Sequence, residues 1–230
     1  MMLEASYIAI TAMIALLVRP ALGWHEHRLG KTARMVLRLM YLLGASTIVA
    51  IALVLSNVQP SDLGIAYPPT LRALFVAVVG VCLTLLLDSV GARLLYQHPL
   101  LLQRRVTALR NWLQTSKPNR FLVIAYIGVA AIYEEVVFRG IGIHFLEISG
   151  TETVTGLMLL SVIFGLQHTA SGWLGVLYAS FFGLYFSLLY LAAGSLFAPI
   201  LVHAVGNFFT VLYTYPRMVR TLERLPAFMF

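Results

Sequence analysis

Charge is scarce in this sequence, and acidic charge most of all. Of the 230 residues 11% are charged, 16 Lys and Arg against 9 Asp and Glu, where a soluble globular domain carries about a quarter. With 60% hydrophobic residues and a mean hydropathy of +0.88, this shortage excludes an ordinary soluble domain. Cysteine is nearly absent too. The single thiol, Cys82, lies in an apolar run, which excludes a disulfide framework and a cysteine-built zinc site. No internal repeat or low-complexity region stands out. What is present in abundance is apolar length, and it points to an all-α, polytopic membrane helix bundle of about seven spans of some 20 residues.

The apolar runs set the expected order of spans. The first covers about 5–22; it follows Glu4 rather than a basic stretch and ends without a small-residue cleavage site, so it reads as a retained helix and not a signal peptide. Others follow at about 36–56, 71–95 (with Asp88 towards its end), 121–145, from Val154 onward, 174–192 and 196–213. The connection 57–70 contains Pro68-Pro69, a loop signal. In the longest non-spanning segment, 97–120, Leu101, Leu102, Val106, Leu109, Trp112 and Leu113 recur at near-helical spacing beside Arg104, Arg105 and Arg110. Two readings stand there, an amphipathic helix in the headgroup region or a basic cytoplasmic loop with some helix in it. The chain divides as 1–120, three spans and the basic segment; 121–216, the helices that carry the polar motifs; and 217–230, a basic tail. Together they make one membrane domain.

Basic residues give the orientation. Five lie at Arg19 and in Arg28 to Arg38, six between Arg93 and Arg120, and three in the tail, leaving Arg72 and Arg139 apart. Seven spans put the three groups on one side, the cytoplasm, so the chain is expected to run N-out and C-in. The net charge of +7 is then topology with some attraction for anionic lipid, and no nucleic acid partner is needed.

The stretch Ala131 to Gly140, Ala-Ile-Tyr-Glu-Glu-Val-Val-Phe-Arg-Gly, places two carboxylates and a guanidinium in a run otherwise without charge from Phe121 onward. Ionisable groups at that depth cost a few kcal/mol each and mark function by default. Glu135 and Arg139 stand four apart, one above the other on a helix, where they pair. Glu134 points about 100° away and is left for chemistry. A purely structural buried pair that locks two helices is the competing reading. Two more polar islands follow, Phe164-Gly-Leu-Gln-His168 and His203-Ala-Val-Gly-Asn207, the second with both polar residues on one helical face. Three successive membrane helices thus offer groups that can satisfy one another.

Glu134-Glu135-x-x-x-Arg139, Phe164-x-x-x-His168 and His203-x-x-x-Asn207, in this order on hydrophobic helices, resemble the motif set of the CPBP family, the CAAX protease and bacteriocin-processing (Abi) proteins. The resemblance covers about 121–213 and implies an intramembrane endopeptidase. It implies that Glu134 activates a water, that Glu135 supports it under the hold of Arg139, and that His168 orients the water or shuttles its proton. His203 and Asn207 would donate hydrogen bonds to the oxyanion. Nothing in the sequence reads as prenyl recognition. The implied substrate is a membrane-anchored protein or peptide, entering from the lipid bilayer, including C-terminal sorting or anchor segments of exported proteins. The implied location is the bacterial cytoplasmic membrane. No cofactor is favoured; zinc, if used, would take Glu134, His168 and His203. Different readings of the same polar groups are a proton- or ion-coupled transporter and a non-catalytic scaffold or immunity protein.

Overall fold

Apolar runs of this length form helices because a helix satisfies its own backbone groups where lipid offers no hydrogen-bond partner. The computed structural model describes residues 30–56, 58–65, 68–113 and 120–224, and these form helices and turns with no strand. Helix α1 is Lys31–Leu55, α2 Leu71–Tyr96 and α3 Pro99–Leu113. Helix α4 is a continuous rod of three parts, Arg120–Glu135, a π turn at Val136–Ile141, and Gly142–Ile148. Helix α5 is Thr153–Leu166 and α6 Gly172–Ala193. Helix α7 is again a rod in three parts, Phe197–Phe209, a π turn at Thr210–Thr214, and Tyr215–Glu223.

Five of these, α1, α2, α4, α6 and α7, are long and apolar enough to cross a membrane. The expected first span, 5–22, lies outside the described residues. The span expected from Val154 onward is short: α5 has 14 residues, about 21 Å at 1.5 Å per residue against a hydrocarbon core of about 30 Å. Its end is set by a 3₁₀ turn at Thr169–Ser171 and by Gly172 at φ 74°, so the chain turns back into α6 before His168 can be carried deeper into a helix. The last expected span is longer than its apolar run: α7 continues through Pro216 to Glu223, so Arg217 and Arg220 are helical. Proline lacks an N–H and its ring presses on the carbonyl of the preceding turn. The π turn just before Pro216, where the Tyr215 N–H bonds to the Thr210 carbonyl five residues back, gives it room.

The segment after α2 proves to be helical, and its apolar edge is spent on the bundle. Leu102, Val106, Leu109 and Leu113 of α3 are buried with Val123 and Ile127 of α4 and Val211, Tyr215 and Met218 of α7. Leu101 is exposed. Arg72, which the basic-residue pattern left unexplained, donates from Nε to the Ala192 carbonyl at 2.6 Å. It thereby serves the carbonyl end of α6, where a cation is favoured. At the other end of the bundle's loops, the Glu152 carboxylate accepts from the N–H groups of Thr155 and Val154 (2.7 and 2.9 Å) to start α5. Those bonds, Thr155's first, hold its carboxyl below the ordinary range. The cap is complete above that ordinary range and is lost as pH falls through the lowered value.

Helices α2 and α7 pack closely through small residues. The buried side of α2 is Ala73, Ala77, Gly80, Thr84, Asp88 and Ala92, small residues except for the last but one. A methyl group on Gly80 would lie 2.8 Å from Cγ2 of Val202, and one on Gly206 would lie 2.9 Å from Cγ2 of Thr84. Membrane helices gain little from hydrophobic burial and associate by such close backbone packing. Gly80→Ala is therefore expected to lower stability by about 1–3 kcal/mol through overpacking. Gly91→Ala, on the same helix with nothing within 4 Å of the added carbon, is expected to be neutral or to stabilise by up to about 1 kcal/mol. Thermal unfolding of the two variants in detergent checks the contrast.

Candidate active site

Glu134 and Glu135 are the last residues of the regular first part of α4, and Arg139 lies in the π turn that follows. In that turn the Gly142 N–H reaches the Val137 carbonyl, five residues back. Such wide turns inside α-helices occur disproportionately at functional positions. All three charged side chains are buried, Glu135 at 0% and Arg139 at 1% exposure.

Their arrangement is a shared carboxylate oxygen. Oε1 of Glu135 accepts from Nη1 of Arg139 at 3.1 Å and from Nδ1 of His203 at 2.7 Å. Arg139 also donates from Nη2 to the Gly183 carbonyl of α6 at 2.6 Å. One guanidinium therefore ties α4 to α6, and one carboxylate ties α4 to α7. Because an ionised carboxylate can only accept, His203 carries a proton on Nδ1. Nε2 then faces the second carboxylate, 3.8 Å from Oε2 of Glu134, too far for a direct hydrogen bond. The pairing of Glu135 with Arg139 and the different setting of Glu134 follow the division expected from helix geometry.

A shell of rings closes round the cluster. Arg139 lies 4.7, 5.5 and 5.8 Å from the ring centres of Phe164, Phe186 and Phe138, distances at which a cation is drawn to an aromatic face. Phe186 stacks on the His203 ring at 4.7 Å, and Phe164 meets it edge-on at 6.2 Å. Phe164 also packs against His168 at 5.3 Å. His168 sits where α5 has ended, with Nδ1 3.0 Å from the Phe164 carbonyl. A carbonyl accepts, so Nδ1 is the protonated nitrogen and Nε2 is the acceptor in the neutral ring. Asn207, half-buried one turn beyond His203, has a side chain that makes no hydrogen bond among the described residues.

The structure thus brings Glu134, Glu135, Arg139 and His203 into one cluster, sets His168 against it through Phe164, and keeps Asn207 on the His203 face of α7. Phe138, Phe186 and Gly183 were not singled out from the sequence. Phe138 adjoins Arg139 and could have been suspected. Phe186 and Gly183 are apolar residues in an apolar helix, and no pattern marks them. Among the described residues no three His, Cys, Asp or Glu side chains are grouped so that they could hold a metal ion. The alternative ligand set Glu134, His168 and His203, as placed, does not fit zinc.

The pair at the centre is expected to matter for stability. Removing one partner of a buried ion pair strands the other charge, at about 3–5 kcal/mol. Arg139→Leu should lower stability by that amount. Arg139→Lys should recover only part of it, since a single ammonium cannot match the planar fork that reaches both Glu135 and Gly183. Chemical or thermal unfolding in detergent reads both.

Comparison with known proteins bears on the same segment. No curated protein and no solved structure matches the chain. Residues 116–209 match one family model, described as type II CAAX prenyl endopeptidase, Rce1-like. The match takes in all six motif residues, from Glu134 to Asn207. In the segment that carries these residues, 116–209, the chain is thus similar to the CAAX-protease (CPBP) family, described as endopeptidases.

Proposed function

We propose that this protein is an intramembrane endopeptidase that hydrolyses a peptide bond of a membrane-tethered protein or peptide through a glutamate-activated water. The observation that supports the reading is the different placement of two adjacent buried carboxylates about His203. Oε1 of Glu135 is occupied by Arg139 and His203, while Glu134, in the same buried cluster, stands off His203 at 3.8 Å. Glu135 is therefore the anchor and Glu134 the general base. Glu134 takes a proton from water as its oxygen adds to the scissile carbonyl. The tetrahedral intermediate then collapses, and the same proton goes to the departing amine. His168, with Nε2 as acceptor, orients the water. The Asn207 amide and Nε2 of His203, as a donor in the imidazolium form, face the developing oxyanion, where fixed donors contribute most. No serine or cysteine nucleophile enters the scheme.

The substrate reaches the site laterally from the bilayer and includes C-terminal sorting or anchor segments of exported proteins. Prenylated CAAX ends, for which the matching endopeptidase family is named, are a second substrate class. An N-out, C-in protein of the bacterial cytoplasmic membrane suits the charge distribution. Arg34, Arg93, Arg104, Arg110, Arg217 and Arg220 lie in or beside the elements that bury Met35, Ala92, Leu102, Val106 and Met218 together, so one end of the bundle is basic.

The test compares membrane proteomes of cells carrying the wild-type protein, Glu134→Gln, or a deletion. Glutamine keeps the shape and cannot act as a base. The same untrimmed membrane peptides are expected to accumulate in mutant and deletion, with cleavage down about 10²–10⁴-fold. Asn207→Ala should lose about 10²–10³-fold through the oxyanion. A Glu134→Gln strain that trims like wild type, beside a deletion with a defect, would instead favour a transport path or a scaffold.

A further inference from the structure

A second buried carboxylate lies on α2, away from the Glu135 cluster. Asp88 is 9% exposed in a helix with no other acidic residue. A carboxylate in such a helix carries a cost of a few kcal/mol unless it is well satisfied. It is satisfied from one place. Oδ1 accepts from Thr210 Oγ1 at 3.1 Å and Oδ2 from Thr214 Oγ1. These two threonines are the first and last residues of the π turn in α7. The carboxylate therefore bridges the wide turn from end to end.

The position of that turn gives the bridge its meaning. His203 and Asn207 stand on the same rod, seven and three residues before Thr210. A π turn holds one more residue than the α turn it replaces, and each residue is about 100° of rotation. Slippage of the turn would alter how the two ends of the rod are rotated against each other. The lower end of α7 is fixed by the burial of Val211, Tyr215 and Met218. Closer to the site, the Val202–Gly80 and Gly206–Thr84 contacts are steric, made by a methyl against a glycine. They limit the distance between helices but carry no hydrogen bond.

We propose that Asp88, by bridging Thr210 and Thr214, is a positioning residue that sets the rotation at which α7 presents His203 to Glu135 and Asn207 to the substrate. Its catalytic consequence rests on the endopeptidase reading; its structural part does not. Asp88 takes no part in proton transfer in this scheme.

The experiment uses the purified full chain in detergent with ¹⁵N-labelled histidine. The Nδ1–H resonance of His203, identified by its loss in His203→Gln, reports the bond to Glu135. Cleavage is followed on a quenched fluorescent farnesylated CAAX peptide. Thr214→Val and Thr210→Val each remove one hydroxyl at nearly constant shape, and Asp88→Asn removes the charge. Thr84→Val is the control: Thr84 keeps its methyl against Gly206 of α7 and loses only its hydroxyl's 3.4 Å contact with Tyr185 of α6. The expected result is a shifted or lost His203 resonance in the Thr214 and Asp88 variants, with kcat down roughly 10- to 100-fold and KM within about two-fold. Thr84→Val should match wild type in both readouts. An unchanged resonance and kcat in folded Thr214→Val would overturn the proposal. So would Thr84→Val reproducing the effect, because that is general loosening of the interface. If Asp88→Asn does not fold, the threonine variants decide. Normal cleavage by Glu134→Gln would sink the endopeptidase reading alone, and the histidine resonance would still decide whether Asp88 positions α7.

Discussion

One oxygen atom, Oε1 of Glu135, joins the three helices that carry the site. It receives the Arg139 guanidinium from its own helix and the His203 ring from α7, and Arg139 reaches on to a carbonyl of α6. In a low-dielectric interior such an arrangement holds because the charges are paired, although Oε2 of Glu135 and Nε of Arg139 make no hydrogen bond among the described residues. Here the charge is further covered by Phe138, Phe164 and Phe186. The geometry of everything nearby follows from this anchor: where Glu134 points, which nitrogen of His203 is left, and how close α5 brings His168.

The rest of the bundle keeps that anchor from shifting. Large apolar side chains such as Val54, Leu71 and Phe75 face outward, as suits lipid, while α2 and α7 meet through glycine, alanine and threonine. Close backbone approach without bulky side chains gives α7 little freedom to tilt. Rotation about its own axis is a separate freedom, and the polar bridge from Asp88 acts on it. Two π turns, one after the glutamate pair and one after Asn207, are the irregular places in otherwise regular rods. Both sit beside buried ionisable side chains.

Much of this was legible in the residues, and the rest was hidden for stated reasons. Low charge and long apolar runs announced a helical membrane bundle. The i, i+4 spacing of Glu135 and Arg139 announced their pairing, because on one helix spacing alone decides contact. Between helices it does not: that His203 would bond to Glu135, and Arg139 to the Gly183 carbonyl, depends on packing angles that no local pattern records. The end of α5 was left open in the sequence because apolar composition continues past Ser171, whereas the backbone leaves the helix after Leu166 and turns at Gly172. The end of α7 was placed at about 213 because the apolar run stops there, yet the helix continues past Pro216 through a π turn to Glu223. Asp88 was noticed as a polar residue late in an apolar run, and nothing in its neighbours named Thr210 and Thr214 as partners.

The division of labour between the two glutamates is the centre of the account, and one paired measurement addresses it. Purified Glu134→Gln and Glu135→Gln would be compared for unfolding midpoint and for peptide cleavage. Glu134→Gln is expected to unfold like wild type and to have lost cleavage. Glu135→Gln, which strands the buried Arg139, is expected to lose about 3–5 kcal/mol of stability as well. The reverse pattern, a destabilised Glu134→Gln that still cleaves beside a fully stable Glu135→Gln that does not, would contradict the assignment of base and anchor.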